Sequence, residues 1–187
     1  PGYDFIIQGI GGLMSITGER DDLPGGGPQK VGVAFSDLMT GLYSTVAIQA
    51  ALLSREKTGV GQHIDMALLD VQVATLCNQS QNYLASGKPP GRYGNAHANI
   101  VPYQVFRASD QDFIIACGND SQFVALCEAI GLTDLPEDPR FARNADRVTH
   151  REAIIDILTQ HFLGATADEW VRRIHPHTPD GIAAVIY

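Results

Sequence analysis

The sequence is short of positive charge. Its 187 residues carry 13 Lys and Arg against 21 Asp and Glu, a net charge of −8 with a pI near 5.0. No basic stripe is present to neutralise phosphates, which excludes nucleic acid as a main partner. An anionic small ligand stays open, because it needs only a few local donors. Long apolar runs are missing too: none reaches the roughly 18 residues of a membrane-spanning helix. Cysteine is scarce. Cys77, Cys117 and Cys127 form no CxxC pair, are odd in number and sit in apolar stretches, which reads as reduced core thiols in a cytoplasmic protein. Spacing for a metal is lacking as well. His150 and His161 lie too loosely along one expected helix, and His175 with His177 would take up metal only adventitiously, so no metal is expected.

What is present is a core-forming composition, 44% hydrophobic with 19 glycines in no collagen-like period. That suffices for one good core or two small ones. The chain opens on Pro1 in the middle of what reads as a domain, so a fragment is expected.

The stretch Val31–Gly61 organises the rest. Val31–Phe35 is a short apolar approach. Ser36 suits an N-cap, with Asp37 in the first turn. The helix that follows is apolar nearly all round, which predicts burial between layers. Arg55 and Lys57 suit its C-terminal dipole, and Gly59 its end. Before it, Ile6, Ile7, Ile10, Leu13 and Met14 have helical spacing, with Asp4 as cap or first-turn acid. Gly11-Gly12 predict a helix end or a close backbone approach. Glu19–Gln29 is loop; its triple glycine leads into no helix and lacks a following Lys-Ser/Thr, so it is not read as a phosphate cradle.

After Gly61, Gln62–Leu68 alternates as a strand. Leu69–Ser86 has a helical pattern ending at Gly87, and 88–92 is a linker. Tyr103–Ala108 and Gln111–Cys117 read as a hairpin around Ser109-Asp110. Gln122–Ile130 is a helix capped by Asn119-Asp120-Ser121 and stopped by Gly131. Arg143–Phe162 is helical, and Thr166 with Glu169 has capping-box spacing for a last helix. His175–Tyr187 shows no clear pattern.

For chemistry, the residues alone leave Asp37 either a helix-cap acid or a carboxylate poised to attack an electrophile, with backbone amides near it to stabilise anions. Asp4 with Asp37 could form an acid/base pair. His97 is either a solvent-facing loop residue or a substrate contact.

Several stretches together carry a resemblance. They are Tyr3-Asp4, Gly11-Gly12 and Thr17-Gly18; then Ser36-Asp37-Leu38-Met39-Thr40-Gly41; then Ala51-Leu52-Leu53 leading to Lys57-Thr58-Gly59-Val60-Gly61-Gln62; then Asp65-Met66-Ala67-Leu68-Leu69-Asp70. Gly94-Asn95-Ala96-His97, Pro102-Tyr103, Gly118-Asn119-Asp120, Phe123, Asp138-Pro139-Arg140-Phe141 and Arg147 continue it. The pattern, over about Pro1 to Ile174, resembles the class III CoA-transferases. That family includes formyl-CoA and carnitine-CoA transferases and the alpha-methylacyl-CoA racemases.

The resemblance implies an α/β fold: the C-terminal part of a large nucleotide-binding-type domain, a linker and a small α+β domain. It divides the chain into 1–68 with the nucleophile helix, a helical linker 69–93 and a small domain 94–187. It implies that Asp37, followed by Gly41, attacks an acyl-CoA thioester, giving a mixed anhydride and then an enzyme–CoA thioester. It makes Tyr3 a CoA contact and Gly94, Asn95, Ala96 and His97 the substrate loop. Coenzyme A enters as acyl-CoA substrate, a carboxylic acid is the acceptor, and the expected assembly is an interlocked homodimer, cytoplasmic, without nucleic acid or membrane.

Four departures qualify this. Tyr3 stands where the racemase branch has histidine, which favours transferase. Ala96-His97-Ala98-Asn99 replaces the formyl-CoA enzyme's glycine run, which points away from formyl and oxalyl groups to a larger acid. The N-terminal half that holds most CoA contacts is absent, and the usual Gly-x-Pro turn is missing near the end. Two rivals stay open: a racemase-like isomerase using Asp4 and Asp37, and an inactive fragment that only folds or dimerises.

Overall fold

The computed structural model describes residues 2–176 and 181–186, so His177 lies outside the described residues. The fold is mixed α/β and forms two compact units, 1–94 and 95–187. The first unit is helical: α1 (Asp4–Ile10), α2 (Phe35–Thr58), α3 (Leu68–Ala74) and α4 (Asn78–Ser86). The second holds β1 (Tyr103–Arg107), β2 (Asp112–Ala116), α5 (Asp120–Ile130), α6 (Asn144–Thr149), α7 (Arg151–Phe162), α8 (Ala167–Ile174) and β3 (Ala183–Ile186).

In the second unit the three strands form one antiparallel sheet in the order β1-β2-β3, with Phe106 opposite Phe113 and Phe113 opposite Ile186. Phe113 and Ile115, two apart on β2, are fully buried, so one face of the central strand lies on the core. Phe162 sits at the centre of that core, edge-on to Phe106, Phe113 and Trp170 with ring centroids 5.0–5.4 Å apart. Trp170 Nε1 donates to Phe162 O at 2.8 Å, so its polar handle is satisfied inside.

The expected hairpin, the Asn119 cap, the Gly131 stop and the Thr166 cap are all present. Asn119 accepts from Gln122 N, Thr166 from Glu169 N, and Gly131 is left-handed at φ 78°. Two expectations need correction here. The helix Arg143–Phe162 breaks at His150, because Thr149 Oγ1 and His150 Nδ1 both bond carbonyls of the preceding turn and compete with the helix ladder. The patternless end holds β3, whose four residues are too few to show alternation.

The first unit departs further. The segment Gln62–Leu68 forms no strand; its alternation meets no partner among the described residues of this unit, and pairing requires one. The Leu69–Ser86 helix breaks into α3 and α4 at Cys77, which has φ 49° and is exposed rather than a core thiol. Cys117 and Cys127 are buried, and burial pushes both thiols up to about 12. Gly11 ends α1 and also meets α3: a Cβ there would stand 2.5 Å from Gln72 Cγ.

The largest correction concerns α2. Instead of lying buried between layers, its one buried residue is Ser36; Leu42, Val46 and Leu53 are each more than 60% exposed. Within its own unit α2 packs chiefly against α1 and α3, and both are seven residues long. They cannot cover a helix of 24 residues. A seven-residue helix spans about 10 Å and a 24-residue one about 36 Å.

Arg147 ties the second unit together. It is fully buried, and its guanidinium lies 4.3 Å over the Phe123 ring. Nε donates to Val101 O at 2.7 Å, Nη1 to Phe141 O at 2.8 Å, and Nη2 to Asp120 Oδ1 at 2.9 Å. Arg147→Ala leaves these acceptors without their donor, and we expect a loss of about 3 kcal/mol or more in urea unfolding followed by Trp170 fluorescence. Arg147→Lys, lacking the planar fork, is expected to recover only a minor part of that loss.

Candidate active site

Asp37 stands in the first turn of α2 with its side chain exposed. Ser36 is not the cap the sequence suggests. The N-cap position falls on Ala34, which has no capping side chain. The cap comes from another helix. Asp4, in the first turn of α1, accepts from Ser36 N at 2.8 Å and from Asp37 N at 3.4 Å through Oδ1. Its Oδ2 accepts from Gln8 Nε2 at 2.7 Å. A carboxylate at this end also suits the helix dipole.

Two glutamines complete the arrangement. Gln8, fully buried, accepts from Val31 N at 2.9 Å and donates to Val33 O at 3.3 Å, which fixes the chain as it approaches α2. Ser36 Oγ donates to Gln72 Oε1 at 2.5 Å, joining α2 to α3. Gln72 is also fully buried, and its Nε2 has no hydrogen-bond partner among the described residues. The carboxylate of Asp37 itself accepts no hydrogen bond among the described residues. Gly41, one turn further along the same face, has open space where a Cβ would be.

Tyr3 precedes Asp4 at the N-cap of α1 and is 69% exposed. Tyr3, Asp4, Ser36 and Asp37 therefore meet at one corner of the first unit. Gly94 closes that unit with φ 56°; a Cβ on it would stand 2.7 Å from the Glu19 carboxylate, so the position requires glycine. Asn95, Ala96 and His97 belong to the second unit. Asn95 is exposed, while Ala96 and His97 are half-buried. His97 N donates to Tyr103 O at 2.9 Å, and its ring lies 5.4 Å from that of Tyr103. Burial, and then the Arg151 charge, hold the imidazole below its ordinary value near 6.5.

Sequence reasoning missed Gln8 and Gln72. The available signal was a polar residue inside an apolar helical pattern, Ile6-Ile7-Gln8 and Val71-Gln72-Val73. The helical pattern in α1 was also rotated: Ile7 is buried with Gln8, whereas Ile6 and Ile10 are exposed. Among the described residues no three His, Cys, Asp or Glu side chains gather as metal ligands, and no helix is long and apolar enough to cross a membrane.

Two tests follow from this geometry. Asp4→Ala should cost about 1–2 kcal/mol, the scale of a lost helix cap, read as roughly tenfold faster hydrogen exchange at the Ser36 and Asp37 amides. Asp4→Asn, which keeps one acceptor but sets an amide against Gln8, should fall between. For His97, the folded state binds fewer protons than the unfolded one. Its contribution to stability is therefore complete above about 6.5 and lost as pH falls through the depressed folded value. Replacing His97 by Gln should flatten the acid limb of the stability–pH curve; an unchanged limb would contradict the burial of the ring.

Comparison with known proteins places the whole chain beside a set of transferases. The chain is 52% identical over 162 residues to a succinate–glutarate CoA-transferase of Agrobacterium fabrum, covering 87% of this chain and 40% of the relative. It is 40% identical to an acetyl-CoA:oxalate CoA-transferase of Acetobacter aceti, over 94% of this chain and 44% of the relative. It thus spans less than half the length of these curated relatives. A crystal structure of a CAIB/BAIF family protein from Brucella suis superposes with TM-score 0.70 at 50% identity, over 98% of this chain and 47% of that one. One of Rv3272 from M. tuberculosis gives TM-score 0.78 at 28% identity, over 100% and 47%. The sequence model of CoA-transferase family III matches residues 1–184, nearly the whole length, and with relatives of this identity it makes the chain a member of CoA-transferase family III.

Proposed function

We propose that this chain carries the nucleophile-bearing part of an enzyme that moves CoA between carboxylic acids, with Asp37 as the nucleophile. The observation that carries the reading is the state of that carboxylate. It stands exposed on the first helical turn, accepts no hydrogen bond among the described residues, and has the open space of Gly41 one turn along. Asp4 takes the local amide donors that would otherwise draw Asp37 into capping.

A carboxylate oxygen of Asp37 attacks the thioester carbonyl of the acyl-CoA donor. The C–S bond breaks and CoA thiolate leaves with the electron pair, giving a mixed anhydride. The thiolate attacks the Asp37 carbonyl carbon, releasing the donor acid as carboxylate and leaving an enzyme–CoA thioester. The acceptor carboxylate attacks that thioester and expels the thiolate, forming a second anhydride. The thiolate then attacks the acceptor's acyl carbon, which gives the new acyl-CoA and restores Asp37. Each step exchanges one acyl bond for another and needs no redox partner.

Tyr3, exposed at the same corner, is the CoA contact in this reading, and Gly94, Asn95, Ala96 and His97 line the acid. The names of relatives that act on succinate and glutarate favour a short dicarboxylate as substrate. Residues 1–68 are then the closing part of a nucleotide-binding-type domain, with 69–93 as linker and 94–187 as the small domain. The remainder of such a domain would cover the apolar faces of α2, and an interlocked homodimer in the cytoplasm is the corresponding assembly. The racemase-like reading is less well served. Both oxygens of Asp4 are committed to Ser36, Asp37 and Gln8, which leaves it poorly placed to exchange a proton with substrate.

The test is intact mass after incubation with succinyl-CoA or glutaryl-CoA, with hydroxylamine as trap. A covalent adduct that disappears in Asp37→Ala is the expected result. An adduct that persists in Asp37→Ala overturns the mechanism, and no adduct together with no CoA binding in calorimetry favours the inactive-fragment reading.

A further inference from the structure

The loop that carries His97 is bound down almost carbonyl by carbonyl. One guanidinium nitrogen of Arg151 donates to His97 O at 2.9 Å and to Ala98 O at 2.8 Å. Asn144 Nδ2 donates to Asn99 O at 2.8 Å, and its Oδ1 accepts from Val101 N at 3.1 Å. Arg147 Nε then takes Val101 O. Residues 95–101 contain no glycine, so the segment is fixed by its sequence as well as by its partners.

Arg151 is an unusual residue for its place. It is the first residue of α7, where the helix dipole disfavours a cation. The two loop carbonyls give it partners outside its own helix.

With the backbone held, the imidazole has one tautomer available. Asn99 N lies 3.0 Å from His97 Nδ1. A backbone amide can only donate, so Nδ1 must keep its lone pair and the ring proton sits on Nε2. A protonated ring would set two donors against each other. Among the described residues, the charge that acts on the ring is that of Arg151 from α7, and the ring beside it is that of Tyr103 from β1; neither is an anion that would draw a second proton onto it.

We propose that Arg151 is a positioning residue, which with Asn144 locks the loop so that His97 offers Nε2–H as a fixed, neutral hydrogen-bond donor to a carboxylate oxygen of the substrate acid. This rests on the reading of residues 94–97 as the substrate loop. The chemistry suits the neutral form. An acceptor carboxylate must attack, and an imidazolium would stabilise its charge and blunt it. A neutral donor orients one oxygen and leaves the other nucleophilic.

The experiment is long-range proton–nitrogen NMR of the histidine rings in the nitrogen-15-labelled chain. His97 should show the Nε2–H tautomer alone. Arg151→Gln should lose that single tautomer and give a mixture, while Arg151→Lys, which can still donate to both carbonyls, should restore it. Titrating glutarate should shift His97 Nε2 in the wild type and not in Arg151→Gln. If Arg151→Gln does not fold, judged by Trp170 fluorescence, Asn144→Ser takes its place. An Nδ1–H tautomer in the wild type, or an unchanged tautomer in a folded Arg151→Gln, overturns the positioning role. No shift with glutarate overturns the donor role. An Asp37 adduct alongside an unresponsive His97 sinks only this inference, and a responsive His97 without any Asp37 adduct sinks only the nucleophile reading.

Discussion

One carboxylate, that of Asp4, accepts the amide protons at the head of α2, and the corner where Asp37 stands depends on it. A helix begins with amide donors that need acceptors, and the usual source is a side chain at the N-cap. Ala34 cannot serve. Had Ser36 or Asp37 turned back to cap, its oxygen would have been spent on the backbone. Because the acceptor arrives from α1, Asp37 keeps its carboxylate unengaged and its backbone fixed. Gln8 holds both Asp4 and the approach through Val31 and Val33, so the cap and the entry angle of the chain are set by one buried amide. This is the arrangement a nucleophile needs: a held backbone under an unheld functional group.

The two units solve burial in opposite ways. The second gathers Phe106, Phe113, Phe123, Phe141, Phe162 and Trp170 in one interior, and the one buried charge among its described residues, Arg147, is bonded to carbonyls and to Asp120. In the first unit the buried residues include Gln8, Ser36 and Gln72, while the apolar side chains of α2 face outward. Buried polar groups are tolerable only when bonded, and here the bonds among them join α1, α2 and α3. An outward apolar helix of this length is out of place on a finished surface. It is consistent with α2 being an interior element of the longer proteins to which the chain is similar, and with the proposal that their additional length covers it.

What could be read from the sequence divides along the same line. Features set by neighbours in sequence were legible: the hairpin at Ser109-Asp110, the Asn119 and Thr166 caps, the stops at Gly59 and Gly131, and the glycine-tight end of α1. Features set by distant partners were not. Ser36 carries every local mark of an N-cap, yet Asp4, 32 positions away, holds that role. The alternation of Gln62–Leu68 has the mark of a strand, but pairing is decided elsewhere. Asp37 alone was ambiguous between cap and nucleophile; the flanking motifs favoured the nucleophile, and what no local pattern could show is that Asp4 does the capping. Gln8, Gln72, Asn144 and Arg151 were invisible because a polar residue in a helix gives no sign of the carbonyl or amide it will meet.

The contrast also bears on how such a reaction could be staged. Covalent transfer through Asp37 changes the size and charge of what that side chain bears at every step. A side chain standing on a helix end, free of hydrogen bonds, tolerates those changes at little cost. A group that orients successive acids has the opposite need, since each acid must arrive in the same pose. The His97 loop is suited to that need: its carbonyls are held by α6 and α7, and those helices pack on the aromatic core. Local stability differs across a fold according to how much each segment buries and bonds. Here Asp37 belongs to a sparsely packed unit and the His97 loop to a densely packed one, so within each unit the local packing suits the role proposed for the residue it carries.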